Sequence, residues 1–328
     1  MKRVWTILVL GVFLLIAGAG CNPVRKITTD VLEPAEIAFP HDVFSVGYLM
    51  EEPRLIVNTR ASREAKVDAR QQFWTGLMDL AVNSPRFNPR SLQLIEYSND
   101  SLPRDTLDWK QVEHITDSLD LDALAVFHEF TFSDSLDRQV VYEFEAAAYY
   151  FIYKINARIL WRIYDPRNRR IISEYTYEEQ YVWESASPDE REAIRNLVDL
   201  DKAYRLSAYW AGYDSGQILF PYWEEKNRFY YVRGSRNFRQ AKDDVEEKNW
   251  PEAIELWKMS FNRGSKELAR RAAFNIAFAC EMMGKIDLAL EWANRAQEIQ
   301  YMPRVEEYLQ TLRERRQKLD KLDEQMPI

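Results

Sequence analysis

Small residues recur between Phe238 and Ile299 at a spacing that leaves little choice of fold. Ala277, Ala289 and Ala296 fall where two antiparallel helices would cross closely, and Gly284 falls where the chain must turn between them. A larger side chain at any of these alanines would hold the helix axes apart, so the pattern predicts a tight helical hairpin. A weaker copy precedes it, carried by Ala241, Trp250, Ala253 and Ser260. Ala253 and Ala289 stand 36 residues apart, against a helical-repeat period of about 34. The loop between the two units is therefore expected to be extended.

The set Asn275-Ile276-Ala277, Cys280, Gly284, Asp287, Ala289 and Ala296 resembles the tetratricopeptide repeat. The resemblance implies stacked helical hairpins with a concave groove that takes an extended peptide. Asn275, Trp257 and Trp292 are the candidate groove contacts, with packing between helices as the first reading of both tryptophans. Two units fall short of the ~3 that such arrays need. The helix expected over Leu200 to Phe220, rich in small residues, is assigned to complete the stack, and Met302 to Lys321 to cap it with charge.

The preceding region reads differently. Ser62 to Ser84 forms a helical stripe of Phe73, Leu77, Leu80 and Ala81, with Ser62 as N-cap and Pro85 beyond its end. A second helix ends near Leu119. Strands are expected at Val31 to Ile37, Val43 to Leu49, Leu92 to Tyr97 and Asp122 to Phe132. Ile155, Ala157, Ile159, Trp161 and Ile163 alternate with polar residues, which marks one buried face. The alternation loses parity near Ala146 to Ala148, predicting a bulge or break. After the turn at Asp165 to Asn168, Ile171 to Trp183 returns as the hairpin partner. The expected fold class is α+β: an N-terminal mixed β-sheet with helices on one face, followed by an all-α tetratricopeptide-like domain. The element order, with Leu-Asp-Ala-Leu-Ala-Val at Leu121 to Val126 and Arg-Ile-Leu-Trp-Arg-Ile-Tyr-Asp-Pro at Arg158 to Pro166, resembles the domain shared by curli-secretion-type lipoproteins and periplasmic lipoprotein activators of peptidoglycan synthases.

The chain begins with Lys2 and Arg3, an apolar run from Val4 to Ile16, and Ala17-Gly18-Ala19-Gly20 before Cys21. The run is shorter than the ~20 residues of a membrane span and has the three-part form of a secretory signal. It resembles a bacterial lipobox signal, with Gly18 where that pattern usually carries Leu. The resemblance implies cleavage after Gly20 and a lipid on Cys21. Asn22, in place of Asp, implies sorting to an outer membrane. Loss of Lys2 and Arg3 takes the formal net charge from −8 to −10, which argues against a nucleic-acid partner. With Cys21 lipidated, Cys280 has no partner for an intramolecular disulfide. An aromatic content of 13% with only 10 glycines supplies the core that a chain without disulfides requires.

Catalytic patterns are sparse. His41, His114 and His128 are not at metal-ligand spacing, so no metal or cofactor is expected. His128-Glu129 ends the central apolar strand and is the sharpest acid-base candidate, with a structural polar pair as the plainer reading. Glu143 and Glu145 share a strand face but lack a second carboxylate pair. Tyr149, Tyr150, Phe151 and Tyr153 read first as core and rim aromatics, then as an exposed patch, then as a membrane-inserting hairpin.

Glu-Pro-Ala-Glu-Ile at Glu33 to Ile37, Trp-Arg-Ile-Tyr-Asp-Pro at Trp161 to Pro166 and Phe-Pro-Tyr-Trp at Phe220 to Trp223 resemble an uncharacterised lipoprotein family of Bacteroidota, a domain of unknown function. The expected organisation is a signal peptide (1–20), a tether (21–30), the α+β domain (31–187), a helical connector (188–234) and the repeat domain (235–328). The expected role is a non-enzymatic, lipid-anchored envelope adaptor that docks proteins through its repeat groove and sheet edge. A secretion pore and an enzyme acting on envelope polysaccharide are the alternatives.

Overall fold

The computed structural model describes residues 24–51, 60–97, 106–143 and 146–326. The leader and Cys21 lie outside the described residues. The chain divides into two units. One is built from 32–223 and the C-terminal residues from Lys321. The other is built from Glu224–Asp320 with the residues up to Val31.

The first unit contains β2 (Val46–Glu51), β3 (Leu92–Tyr97), β4 (Ala123–Glu143), β5 (Ala146–Asp165) and β6 (Arg170–Ser187). They form one mixed sheet in the order β3-β2-β4-β5-β6. β2 runs parallel to β3 and β4, and β4, β5 and β6 form an antiparallel meander. The expected break near Ala146 is a chain reversal: Glu143 pairs with Ala146, and the strand predicted to end at Phe132 continues to Glu143. The alternation of Ile155 to Ile163 is a buried face as expected.

Two helices, α1 (Arg63–Ala81) and α4 (Leu200–Leu219), lie against that face. Ser62 caps α1, accepting from the Ala65 amide at 3.0 Å. The two helices touch backbone to backbone. A Cβ on Gly212 would stand 1.9 Å from the Phe73 carbonyl oxygen, and one on Gly76 would stand 2.0 Å from that of Tyr209. The small-residue helix therefore pairs with α1 under the sheet instead of completing the repeat, and the expected connector (188–234) is largely part of the sheet unit.

The expectation of helices on one face also needs correction. α2 (Trp109–Leu119) covers the opposite face, where Val112 packs with Leu49, Leu107, Leu124, Val126 and Tyr164. The reason is chain direction. The crossover through α1 goes from β2 outward to β3, and the crossover through α2 returns past β2 to β4. Both crossovers keep the right-handed sense only if their helices lie on opposite faces. A short helix, α3 (Glu190–Asn196), follows β6.

Among its described residues the second unit is helical apart from one ribbon. Its helices are α5 (Arg236–Glu246), α6 (Trp250–Arg263), α7 (Lys266–Met282), α8 (Ile286–Ile299) and most of α9 (Pro303–Gln325). Ala253, Ala277, Ala289 and Ala296 are fully buried. Gly284 takes φ +72° after α7, where a residue with a Cβ would be strained. β1 (Val24–Glu33) and β7 (Tyr222–Tyr231) pair as a two-stranded ribbon. The expected tether at 21–30 is thus strand from Val24 onward. The expected solvating cap is also core: Val305, Tyr308, Leu309 and Leu312 of α9 are buried. Near its end, in the sheet unit, Gln325 Nε2 donates to the Ala35 carbonyl at 2.8 Å and Oε1 accepts from the Ala35 amide at 3.0 Å.

Candidate functional site

The candidate groove residue Asn275 is fully buried on α7. Its Oδ1 accepts from the Tyr231 amide at 2.8 Å and its Nδ2 donates to the Tyr231 carbonyl at 2.7 Å. Both halves of the side-chain amide are therefore spent on β7. The strand's aromatics fill the remaining space. Phe229 stacks on Phe274 at 5.2 Å and Tyr230 stacks on Phe278 at 5.4 Å. One residue earlier, Arg228 forms a bidentate pair with Glu281, at 2.9 Å from Nε and 2.7 Å from Nη2 to Oε1. Tyr308 Oη donates to the other carboxylate oxygen at 2.7 Å. Burial holds the Tyr308 hydroxyl far above its usual range, with the Glu281 carboxylate adding to the effect, so it remains a donor.

The other two groove candidates pack against aromatic rings. Trp257 is fully buried against Tyr230. Trp292 is half-buried on α8, edge-on to Phe261 at 5.3 Å with the Arg295 guanidinium 4.6 Å above its ring. Asn275 and Trp257 are thus spent inside the helical unit, and Trp257 and Trp292 pack against neighbouring rings, the first reading given to both. The missed element is the β1–β7 ribbon. Its one sequence signal was the Arg-Phe-Tyr-Tyr run at Arg228 to Tyr231, which is dense in rings for a linker.

The acid-base candidates also have structural duties. His128 occupies a β-bulge, where Phe127 pairs with Trp161 and Glu129 pairs with Leu160. The bulge brings His128 Nε2 to 3.0 Å from Tyr164 Oη, which also accepts from the Leu107 amide at 3.1 Å. Glu129 accepts from Arg158 Nε at 3.0 Å. Glu143 ends β4, and Glu145 lies outside the described residues. Burial raises the Cys280 thiol to about 11, leaving it protonated and a poor nucleophile. A cavity of about 380 Å³ opens between α2 and the sheet, lined by Leu107, Asp108, Trp109, Gln111, Tyr164 and Ile171. Among the described residues no group of three or more His, Cys, Asp or Glu is placed to hold a metal.

Of the aromatic cluster, Phe151 is buried and Tyr149, Tyr150 and Tyr153 are half-buried, as core and rim packing requires. No described helix is long and apolar enough to cross a membrane.

β6 is an edge strand of the sheet. It has 18 residues and, among the described residues, pairs on one side only, with β5. On its outer face Glu174, Thr176, Glu178, Gln180, Val182 and Glu184 are exposed. Arg158 and Arg162 of β5 pair with Glu178 and Glu174.

The geometry defines a two-unit α+β chain with a helical surface filled by its own strand and a sheet edge, β6, on which no further described strand pairs. The model of the family described as Domain of unknown function (DUF8603) matches residues 59–231, and the chain belongs to that family. The model described as Domain of unknown function (DUF6340) matches residues 239–314. The first match takes in α4 and β7; the second lies within the helical unit. No curated protein matches the chain in sequence. Among solved structures, a neuraminyllactose-binding hemagglutinin homolog from Helicobacter pylori is similar at 11% identity and TM-score 0.31, over 55% of this chain and 82% of that one. The PelC dodecamer from Paraburkholderia phytofirmans is similar at 8% identity and TM-score 0.26, over 58% and 96%. The protein CT253 from Chlamydia trachomatis is similar at 13% identity and TM-score 0.21, over 43% and 73%.

Proposed function

We propose that this chain is a lipid-anchored cell-envelope protein, sorted to an outer membrane, that docks other proteins without catalysing a reaction. The reading of Met1 to Cys21 as a leader and lipidation site supports the anchor, and lipid on Cys21 is its membrane contact. In this reading the helical unit descends from a tetratricopeptide-like array and the chain is kin to the Bacteroidota lipoproteins. The single observation that carries the docking role is the contrast between surfaces. The repeat surface is occupied by β7 through Asn275 and the ring stacks, while among the described residues no strand pairs with the outer side of β6. Docking is therefore assigned to the sheet edge and not to the repeat groove.

The proposal is tested by crosslinking in cells and mass spectrometry of what is retained by the protein, in wild type and in a Cys21→Ser variant. One reproducible envelope partner, lost when Cys21→Ser releases the protein from the membrane, is the expected result. Self-crosslinks alone would point to a homo-oligomeric assembly or pore. A membrane association unchanged in Cys21→Ser would remove the anchor from the proposal.

A further inference from the structure

We propose that the free edge of β6 takes an extended basic strand from a partner protein, which adds to the sheet beside β6. This rests on the docking role above and names the chemistry of the partner. The Gln180 amide donates to the Glu179 carboxylate at 3.1 Å, so it faces outward from the sheet. By strand alternation the amides and carbonyls of Glu178, Val182 and Glu184 face outward too. A row of outward backbone groups on an edge strand is a template for another strand.

Charge selects which strand. From Ile171 to Glu190 the sequence carries six acids and no Lys or Arg. Arg162 and Arg158 pair with Glu174 and Glu178, and Glu190 is paired with Arg138 at 2.7 Å. Glu179 and Glu184 form no ion pair with a described residue. An added apolar strand would desolvate these carboxylates without compensation. A second copy of this chain would bring the same excess of carboxylates to the contact. A strand with Lys or Arg at alternate positions places cations opposite Glu178 and Glu184, where cross-strand pairs are stabilising. Until such a strand arrives, the Glu179 contact to the Gln180 amide and the row of carboxylates protect the edge from indiscriminate pairing.

The test uses the full-length protein in detergent and two fluorescent peptides of ten residues. One alternates Lys with Val and Thr, and the other has Glu in place of every Lys. Fluorescence anisotropy is expected to show saturable binding of the Lys peptide and none of the Glu peptide. Converting both Glu178→Lys and Glu184→Lys should weaken the Lys peptide by about tenfold, two cross-strand charge pairs being lost and reversed. Val182→Pro removes an outward amide without touching the β5 ladder or any charge, and should abolish binding while the thermal midpoint holds. Thr176→Pro, of the same parity, serves if Val182→Pro fails to fold. Equal binding of both peptides, or Lys-peptide binding that survives the proline variants, would overturn strand addition and leave only diffuse charge attraction. In cells, a photocrosslinking residue at Gln180 separates the two proposals. A partner captured from other positions but never from Gln180 rejects this inference and keeps the docking role. No capture from any position rejects both.

Discussion

The helical unit and the sheet unit handle their backbone groups in opposite ways. In the helical unit, polar side chains that could recognise an extended strand already hold one: Asn275 holds Tyr231 and Glu281 holds Arg228. In the sheet unit, an 18-residue strand closes the sheet on one side, and among the described residues no strand pairs with its other side. The contrast shows that a recognition motif in a sequence need not be a vacant site. A buried amide must find partners, and here the chain supplies them itself.

The comparison can be broken most severely at Glu281. The side chains of Arg228 and Glu281 are 11% and 4% exposed, so Glu281→Leu removes the carboxylate that a buried guanidinium and the Tyr308 hydroxyl share. Chemical denaturation should show a loss of about 4 kcal/mol. A loss below ~1 kcal/mol would mean the pair is solvated. Gly212→Val strikes the sheet unit instead, forcing α1 and α4 apart, at about 3 kcal/mol or more. Hydrogen exchange should then rise across α1 and α4. Protection there equal to wild type would contradict the backbone contact.

Asn275→Ala sharpens the comparison, because it strands the amide and carbonyl of Tyr231. The expected loss is about 2 kcal/mol, with faster exchange at β7. If β7 stays as protected as before, the ring stacks alone hold the strand. A smaller effect, with a pH signature, is expected at Asp165 in the β5–β6 turn. Burial raises this carboxyl, but hydrogen bonds from Asn168 and Arg170 outweigh it and the net position is below the usual range. Its contribution to stability is therefore complete above the unfolded value of about 3.9 and fades as pH falls through the folded value. Asp165→Asn should cost about 1.5 kcal/mol at neutral pH and little at the acid end, so a pH-independent difference from wild type would refute the assignment.

Local patterns in the sequence carried much of the fold. The period of two in Ile155 to Ile163, the cap at Ser62, and the alanines of α6 to α8 each state a local requirement that holds wherever the segment is placed. What they leave open is which elements become neighbours. The small face of Leu200 to Leu219 announces a close helix contact but not its partner, and Gly76, the matching contact, lies more than a hundred residues earlier. Asn275 fits the repeat code equally well whether its amide meets a foreign peptide or Tyr231.

From its residues alone, this protein is determined to be an α+β region followed by a helical one, because side-chain period and small-residue spacing are properties of neighbouring positions. Only the tertiary structure decided that β1 and β7 fill the helical surface, that α2 crosses to the second face of the sheet, and that β6 is an edge strand. Those outcomes depend on which distant backbone groups and buried charges satisfy one another, and no local pattern records that choice.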